Sequence, residues 1–292
     1  MSISSFASRS PGWDTETTHI SAVEPTRPGL RRRAGLLAGL ALLLAGCVSP
    51  SPPVRIAQTS LRKGRSLLLR LVASGPRRTP IYGTSGGRGR ILVFVHRAGP
   101  LAVFGHNHVV SSRWFTGIVR VGPHPEALFC LPLTNLSIDR PALRRVAGAG
   151  FAGTLAPALR RATDRHMLES LRARRHPDLL LLVRPAGTHA STTARDLRFE
   201  VVLNGRRRTL KNVHLRVREA PETLDVRARF RIRQTAFDLT PYSILGGGLR
   251  VRNTLRVVAR IVVVRLRSRA ALDALETNWC GLHPPHLGGR AP

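Results

Sequence analysis

The sequence has almost no lysine and little acid. Lys63 and Lys211 are the only lysines, and 16 acidic residues face 47 basic ones, giving a net charge of +31. Arginine in place of lysine, beside much Ala, Gly and Leu, reads as a GC-rich coding bias. Such a bias does not set the ratio of basic to acidic residues, so the positive field is a property of the protein itself. Aromatics are scarce at 5%, so a core must be aliphatic; hydrophobic content of 42% is enough to build one. Glycine loops that cradle phosphate are missing. Gly246-Gly247-Gly248 precedes a strand pattern rather than a helix and reads as a turn. No serine sits in a nucleophile elbow, and no paired carboxylates close a strand or helix end. The expectation is therefore a non-enzymatic chain that needs no cofactor.

Only one long apolar run is present, Ala34 to Ala45, and it is too short to span a bilayer as a helix. Arg31, Arg32 and Arg33 precede it, and Leu44-Ala45-Gly46-Cys47 closes it. Positive cluster, short apolar segment and small residues before a cysteine, in that order, are those of an export signal. The closing tetrad resembles the lipobox of bacterial lipoproteins, which makes Cys47 the lipid-acceptor residue. Val48 stands where an acidic residue would suggest inner-membrane retention, so the resemblance implies an outer-membrane anchor facing the periplasm. Export also bears on the charge. Outside the cytoplasm the main polyanions are lipid head groups, so an anionic membrane surface is the expected partner, and nucleic acid is not. Two cysteines remain, Cys130 and Cys280. In an oxidising compartment they pair as a disulfide, or they stay as two thiols with Cys130 buried in a strand.

Residues 1–47 thus form a signal with a long polar lead. Residues 48–88 are rich in Pro, Ser, Gly and Arg and read as a tether. From residue 89 the apolar period becomes two. Ile91–Val95 suits a buried strand, Phe115–Val121 alternates, and Ala127–Ile138 is a strand interrupted at Pro132. Residues 139–154 read as a loop. A helix follows from Pro157, with Leu159, Met167, Leu168 and Leu171 near one side, and Pro177 stops it. Asn204-Gly205 marks a hairpin. Val213, Leu215 and Val217, then Leu224, Val226, Ala228, Phe230 and Ile232, alternate with polar residues, and a long last strand spans 249–266. The pattern predicts a mainly β fold, an antiparallel barrel of about eight strands with one helix, over residues 89–267. Residues 268–292 read as a tail.

Four blocks in order resemble the YceI-like family of periplasmic lipid-binding proteins. They are an apolar strand ending in His96 followed by Trp114-Phe115-Thr116-Gly117, a helix running into His176-Pro177 and a strand, the Asn-Gly hairpin, and Gln234-Thr235-Ala236-Phe237-Asp238 with Pro241 before the last strand. The resemblance implies a lipocalin-like barrel whose apolar cavity holds a polyisoprenoid chain without catalysis. Asp238 departs from the glycine usual there, and Leu101–His108 is longer than the usual turn. A barrel of about eight strands has room for one elongated ligand, and small aliphatic inward residues leave space.

The residues assigned to the cavity and its mouth are His96, Phe104, His106 and His108, with Phe115, Phe199, Phe230 and Phe237. His106 and His108 share a face of an extended segment and form the one candidate metal pair, for Zn or Cu. The alternatives are a polar lining of the mouth or structural hydrogen bonding. Arg227, Arg229, Arg231 and Arg233 line one face of one strand, with Arg216 and Arg218 before it and Arg250 and Arg252 after it. If neighbouring strands bring these together, like charges sit side by side. Such a wall is expected to rest on anionic lipid, or to be a solvated face.

Overall fold

The computed structural model describes residues 66, 68–70, 72–73, 79–188 and 193–281. The expected signal with Cys47, and most of the expected tether, lie outside the described residues. So does the chain beyond 281.

Alternating apolar residues build strands here, and each strand pairs antiparallel with its neighbours. The strands are β1 (Ile81–Ser85), β2 (Gly89–Val95), β3 (Arg97–Ala98), β4 (His108–Ser112), β5 (Thr116–Arg120), β6 (Glu126–Pro132) and β7 (Ser137–Ile138). They continue as β8 (Asp178–Pro185), β9 (Leu197–Leu203), β10 (Arg206–Thr209), β11 (His214–Ala220) and β12 (Thr223–Arg233), then β13 (Ser243–Ile244), β14 (Leu249–Val251) and β15 (Thr254–Arg265). The helices are α1 (Pro141–Val146), α2 (Pro157–Ser170) and α3 (Arg269–Thr277).

The protein is mainly antiparallel β. Twelve strands join in one sheet, and β13, β14 and β3 form a second, small one. The long strand β15 is the hub. Along one edge it pairs with β12 from Thr254 to Val264; along the other it meets first β2 and then β1. From β2 the sheet runs on to β4 and β7; from β1 it runs through β5, β6, β8 and β9 to β10. β11 hangs on the far side of β12. The sheet curls until β6 and β8 face β12 and β15, because Phe129, Leu131, Leu181, Leu224, Ile261 and Val263 share one apolar cluster.

Several expectations are corrected. Among the described residues the sheet does not close, since β7, β10 and β11 each pair on one side only, and it has more than eight strands, with one edge of β15 divided between β2 and β1. The sheet begins at Ile81, inside the expected tether. Gly86 and Gly87, both at positive φ, turn the chain from β1 into β2. The expected loop 139–154 contains α1, whose Leu143 packs with Phe94, Val109 and Phe151. The expected tail contains α3, capped by the Ser268 hydroxyl accepting from the Ala271 N–H. Arg250 and Arg252 do not extend the arginine ladder, because Arg250 lies on β14 of the small sheet and Arg252 lies just past its end. On α2, Leu168 and Leu171 pack inward while Leu159 is exposed. The Asn204-Gly205 hairpin forms as expected, with both residues at positive φ. Asp238 also adopts the left-handed region, which explains why glycine suits that position and why the short, polar aspartate is tolerated.

α3 covers the outer face of β5, β6 and β8. Leu275, Trp279 and Cys280 pack there on Ile118, Leu128, Leu180 and Leu182, joined by Leu68 from the segment before β1. Cys280 is disulfide-bonded to Cys130 of β6, and its N–H donates to the Thr116 hydroxyl.

Candidate functional site: an apolar trough with a basic outer wall

The period-two pattern of β12 sends Leu224, Val226, Ala228, Phe230 and Ile232 to the concave side. There they stand opposite Val263, Ile261, Ala259, Val257 and Leu255 of β15. Facing them across the curl are Leu179, Leu181 and Val183 of β8. Leu224, Ile261 and Val263 are fully buried, whereas Val226, Phe230, Ile232, Leu181 and Val183 are only half-buried. Aliphatic side chains that line a concave face yet remain half-exposed leave unfilled apolar space beside them. The result is a trough. Phe237, Leu239, Leu133 and Leu203 fill one end, where the Asn204 amide donates to the Phe237 carbonyl at 2.9 Å. At its free edge the trough is open, and Val217 of β11 is half-exposed beside Val226.

Of the assigned aromatics, Phe115 joins the inner cluster, Phe199 lies across from Val183, Phe230 lines the wall and Phe237 helps fill the end. The sequence reading missed Tyr82 and Thr84, which share the inner face of β1 because that strand was taken for tether. The buried Thr84 hydroxyl has no hydrogen-bond partner in the protein. It places a buried polar group beside the apolar residues of the inner face.

The histidines occupy different surroundings. His96 packs its ring edge-on to Phe151 at 5.2 Å, on the convex side; burial, then Arg252 and Arg256, lower its pKa. Phe104 and His106 are exposed. Burial first, then His108 and Arg144, lower the His106 pKa. His108 Nδ1 bonds the buried Asp139 carboxylate at 2.5 Å. That carboxylate also accepts from the Val109 N–H at 2.9 Å and from Arg144 at 2.8 Å. Burial alone would raise the Asp139 carboxyl; the bonds from His108, Val109 and Arg144 outweigh it and hold the pKa low. Arg144 further donates to the carbonyls of Asn107 and Gly153, so the cluster ties the mouth loop to α1 and the turn after it. A guanidinium bonded to the same carboxylate opposes a metal cation at His108, and the geometry is that of a structural latch.

The convex wall is basic. Arg216 of β11, Arg227 of β12, Arg260 of β15 and Arg90 of β2 stand directly across from one another on four successive strands. Arg231 likewise faces Arg256, whose guanidinium lies 4.0 Å over the Phe94 ring. Asp225 offsets part of this charge by bonding Arg260 at 2.8 Å and Arg227 at 3.4 Å.

The fold and the trough together define a mainly antiparallel β protein whose curled sheet has an apolar concave face. No family model matches the chain, and no curated protein matches it. Among solved structures it is similar to a polyisoprenoid-binding domain from Saccharophagus degradans implicated in plant cell wall breakdown, with 10% identity over 65% of this chain and 100% of that one and a TM-score of 0.43. It is also similar to BcnA of Burkholderia cenocepacia, with 10% identity over 60% and 95% and a TM-score of 0.40. A mutant of the CJ YCEI protein with a monobromobimane guest is similar at 8% identity over 55% and 85%, with a TM-score of 0.35.

Proposed function

We propose that this chain is an envelope lipoprotein that binds or carries an isoprenoid or similar apolar chain in the trough. The observation that carries this reading is the half-exposed aliphatic concave face of β8, β12 and β15. The four sequence blocks that resemble the YceI-like family support it. Each methylene removed from water contributes about 0.8 kcal/mol, so a long chain needs few polar contacts. The mechanism is burial, with no bond made or broken. The ordered signal features ending at Cys47 support a diacyl anchor, which would hold the trough at the membrane that supplies its ligand.

The test is apolar extraction and mass spectrometry of the full chain purified from membranes, alongside uptake of a fluorescent prenyl probe. Co-purifying lipid is expected. Leu181→Asn and the isosteric Val226→Thr are expected to weaken probe uptake about tenfold, as polar groups in an apolar wall. Val226→Thr keeps the side-chain shape, so the test survives if Leu181→Asn fails to fold. Neither lipid nor probe on the wild type, or unchanged uptake by both variants, overturns the reading.

A second reading uses the outer wall. The four arginines in register favour a basic interaction surface for envelope polyanions, and this reading is compatible with the first.

A further inference from the structure

Two loops leave the small sheet of β3, β13 and β14 and end in exposed apolar tips. One carries Val103 and Phe104, which are 70% and 76% exposed; the other carries Leu245, which is 69% exposed, beside the exposed Ile244. Side chains of this size are not normally left in water together.

The two loops are locked to each other. The Leu101 N–H donates to the Gly248 carbonyl at 2.9 Å. A Cβ at Gly248 would stand 2.9 Å from Leu101 Cδ1, and one at Gly105 would stand 2.6 Å from Leu249 Cδ1. At Gly99, held at a φ of +96°, a Cβ would stand 2.3 Å from the Gly248 carbonyl oxygen, so glycine is required where the loops touch. From below, the Arg97 guanidinium donates to the carbonyls of Val103 and Gly105 and holds the first tip open. The exposed apolar groups are thus presented by a braced scaffold.

Charge selects the partner. The sequence has no Asp or Glu between Glu24 and Glu126, and none between Asp238 and Asp273. Every formally charged side chain on the two loops and on β3, β13 and β14 is therefore an arginine. Arg250 and Arg252 are both exposed beside the tips. A convex apolar tip within an acid-free basic collar suits a fluid, negatively charged interface rather than a fitted protein groove.

We propose that this double-loop tip, with Val103, Phe104, Ile244 and Leu245 at its apex and Arg97, Arg250 and Arg252 around it, inserts into the head-group region of an anionic bilayer. The loops connect to the ends of β2 and β15, which border the trough, so insertion would bring the trough's rim to the lipid surface. Only this last use rests on the lipid-binding reading; insertion itself does not.

The test uses the full chain with tryptophan reporters, Phe104→Trp and Leu245→Trp, and Val217→Trp as the control on β11, each read as the difference from the wild type, whose Trp13, Trp114 and Trp279 set the background. Vesicles of phosphatidylcholine, with and without phosphatidylglycerol, carry lipid-borne quenchers. Quenching of both tip reporters is expected on anionic vesicles only, to be reversed by salt, with the Val217→Trp reporter unaffected. Because the quenchers report on the tip, an acyl anchor or signal segment elsewhere does not confound the result. Phe104→Ser/Leu245→Ser is expected to weaken the interfacial component of binding about tenfold or more. The proposal is overturned by tip reporters that stay unquenched, by equal quenching on neutral vesicles, or by tips shielded through self-association instead of lipid. Prenyl-probe uptake separates the two readings. Quenched tips in a protein that takes up no probe refute the trough and leave insertion standing.

Discussion

Cys130 of β6 and Cys280, just past α3, are joined across a separation of 150 residues, with their Cα atoms 5.2 Å apart. The bridge fastens the C-terminal segment onto the outer wall of the sheet. For a loop of that size the chain-entropy model gives about 5 kcal/mol, and measured disulfides more often contribute about 2–4. Reduction, or Cys130→Ala/Cys280→Ala, is therefore expected to lower unfolding free energy by a few kcal/mol. Hydrogen exchange should accelerate first over 269–281. Equal stability of oxidised and reduced protein in urea would show that apolar packing alone holds the segment.

Asp178 stands against this bridge, with its carboxylate and the two sulfurs all within 4.8 Å of one another. Burial pushes its carboxyl up to about 6, and one of its oxygens has no hydrogen-bond partner in the protein. A raised acid pKa means that the folded state holds a proton more tightly than the unfolded chain. The sign is therefore unfavourable at neutral pH. The contribution is complete below the unfolded value near 3.8 and is lost as pH rises through about 6. The loss is of the order of 3 kcal/mol. Asp178→Asn should raise stability above pH 6 and change little in acid. Parallel pH–stability curves for the two proteins would refute this.

Asp139 has the opposite sign. Its lowered pKa gives stability that is present above the unfolded value and is lost as pH falls through the folded one. Asp139→Asn removes a buried charge from between His108 and Arg144, leaving a buried guanidinium unpaired, at a cost of about 3–5 kcal/mol. Thermal melts check the cost. A change near zero would mean that the mouth loop does not depend on the latch.

Arg227 and Arg260 share Asp225 as an acidic partner, although they face each other in register. Asp225→Asn should lower Tm by about 2 °C at low ionic strength, with salt or added phosphate closing the gap. No salt dependence of that difference would show the row to be a solvated face without strain.

Much of the sheet was legible in the sequence because side-chain period and turn chemistry are local. The alternation of residues 224–232 fixed which face of β12 is apolar, and Asn204-Gly205 fixed the hairpin. The start of the sheet was not legible. Ile81–Ser85 is short, lies among Pro, Gly and Arg, and becomes a strand only because β5 and β15 offer it two edges. Helix α3 was hidden for a similar reason: its apolar residues have meaning only against the outer wall of β5, β6 and β8. Pattern placed Phe115, Phe199, Phe230 and Phe237 on the inner side of the sheet but could not find that Asp139, far along the chain, would claim His108. It also missed the Val103–Phe104 and Ile244–Leu245 pairing, which depends on contact between loops far apart in sequence.

The open seam between β10 and β11 has a further consequence. An unpaired strand edge is a template for another chain. Here β10 reads Arg206-Arg207-Arg208-Thr209, and β11 carries Arg216 and Arg218. Two copies approaching edge to edge would press like charges together before any backbone bond could form. The arginine excess thus acts as a guard against fibrous assembly, allowing the protein to leave its sheet unclosed and its trough open from the side.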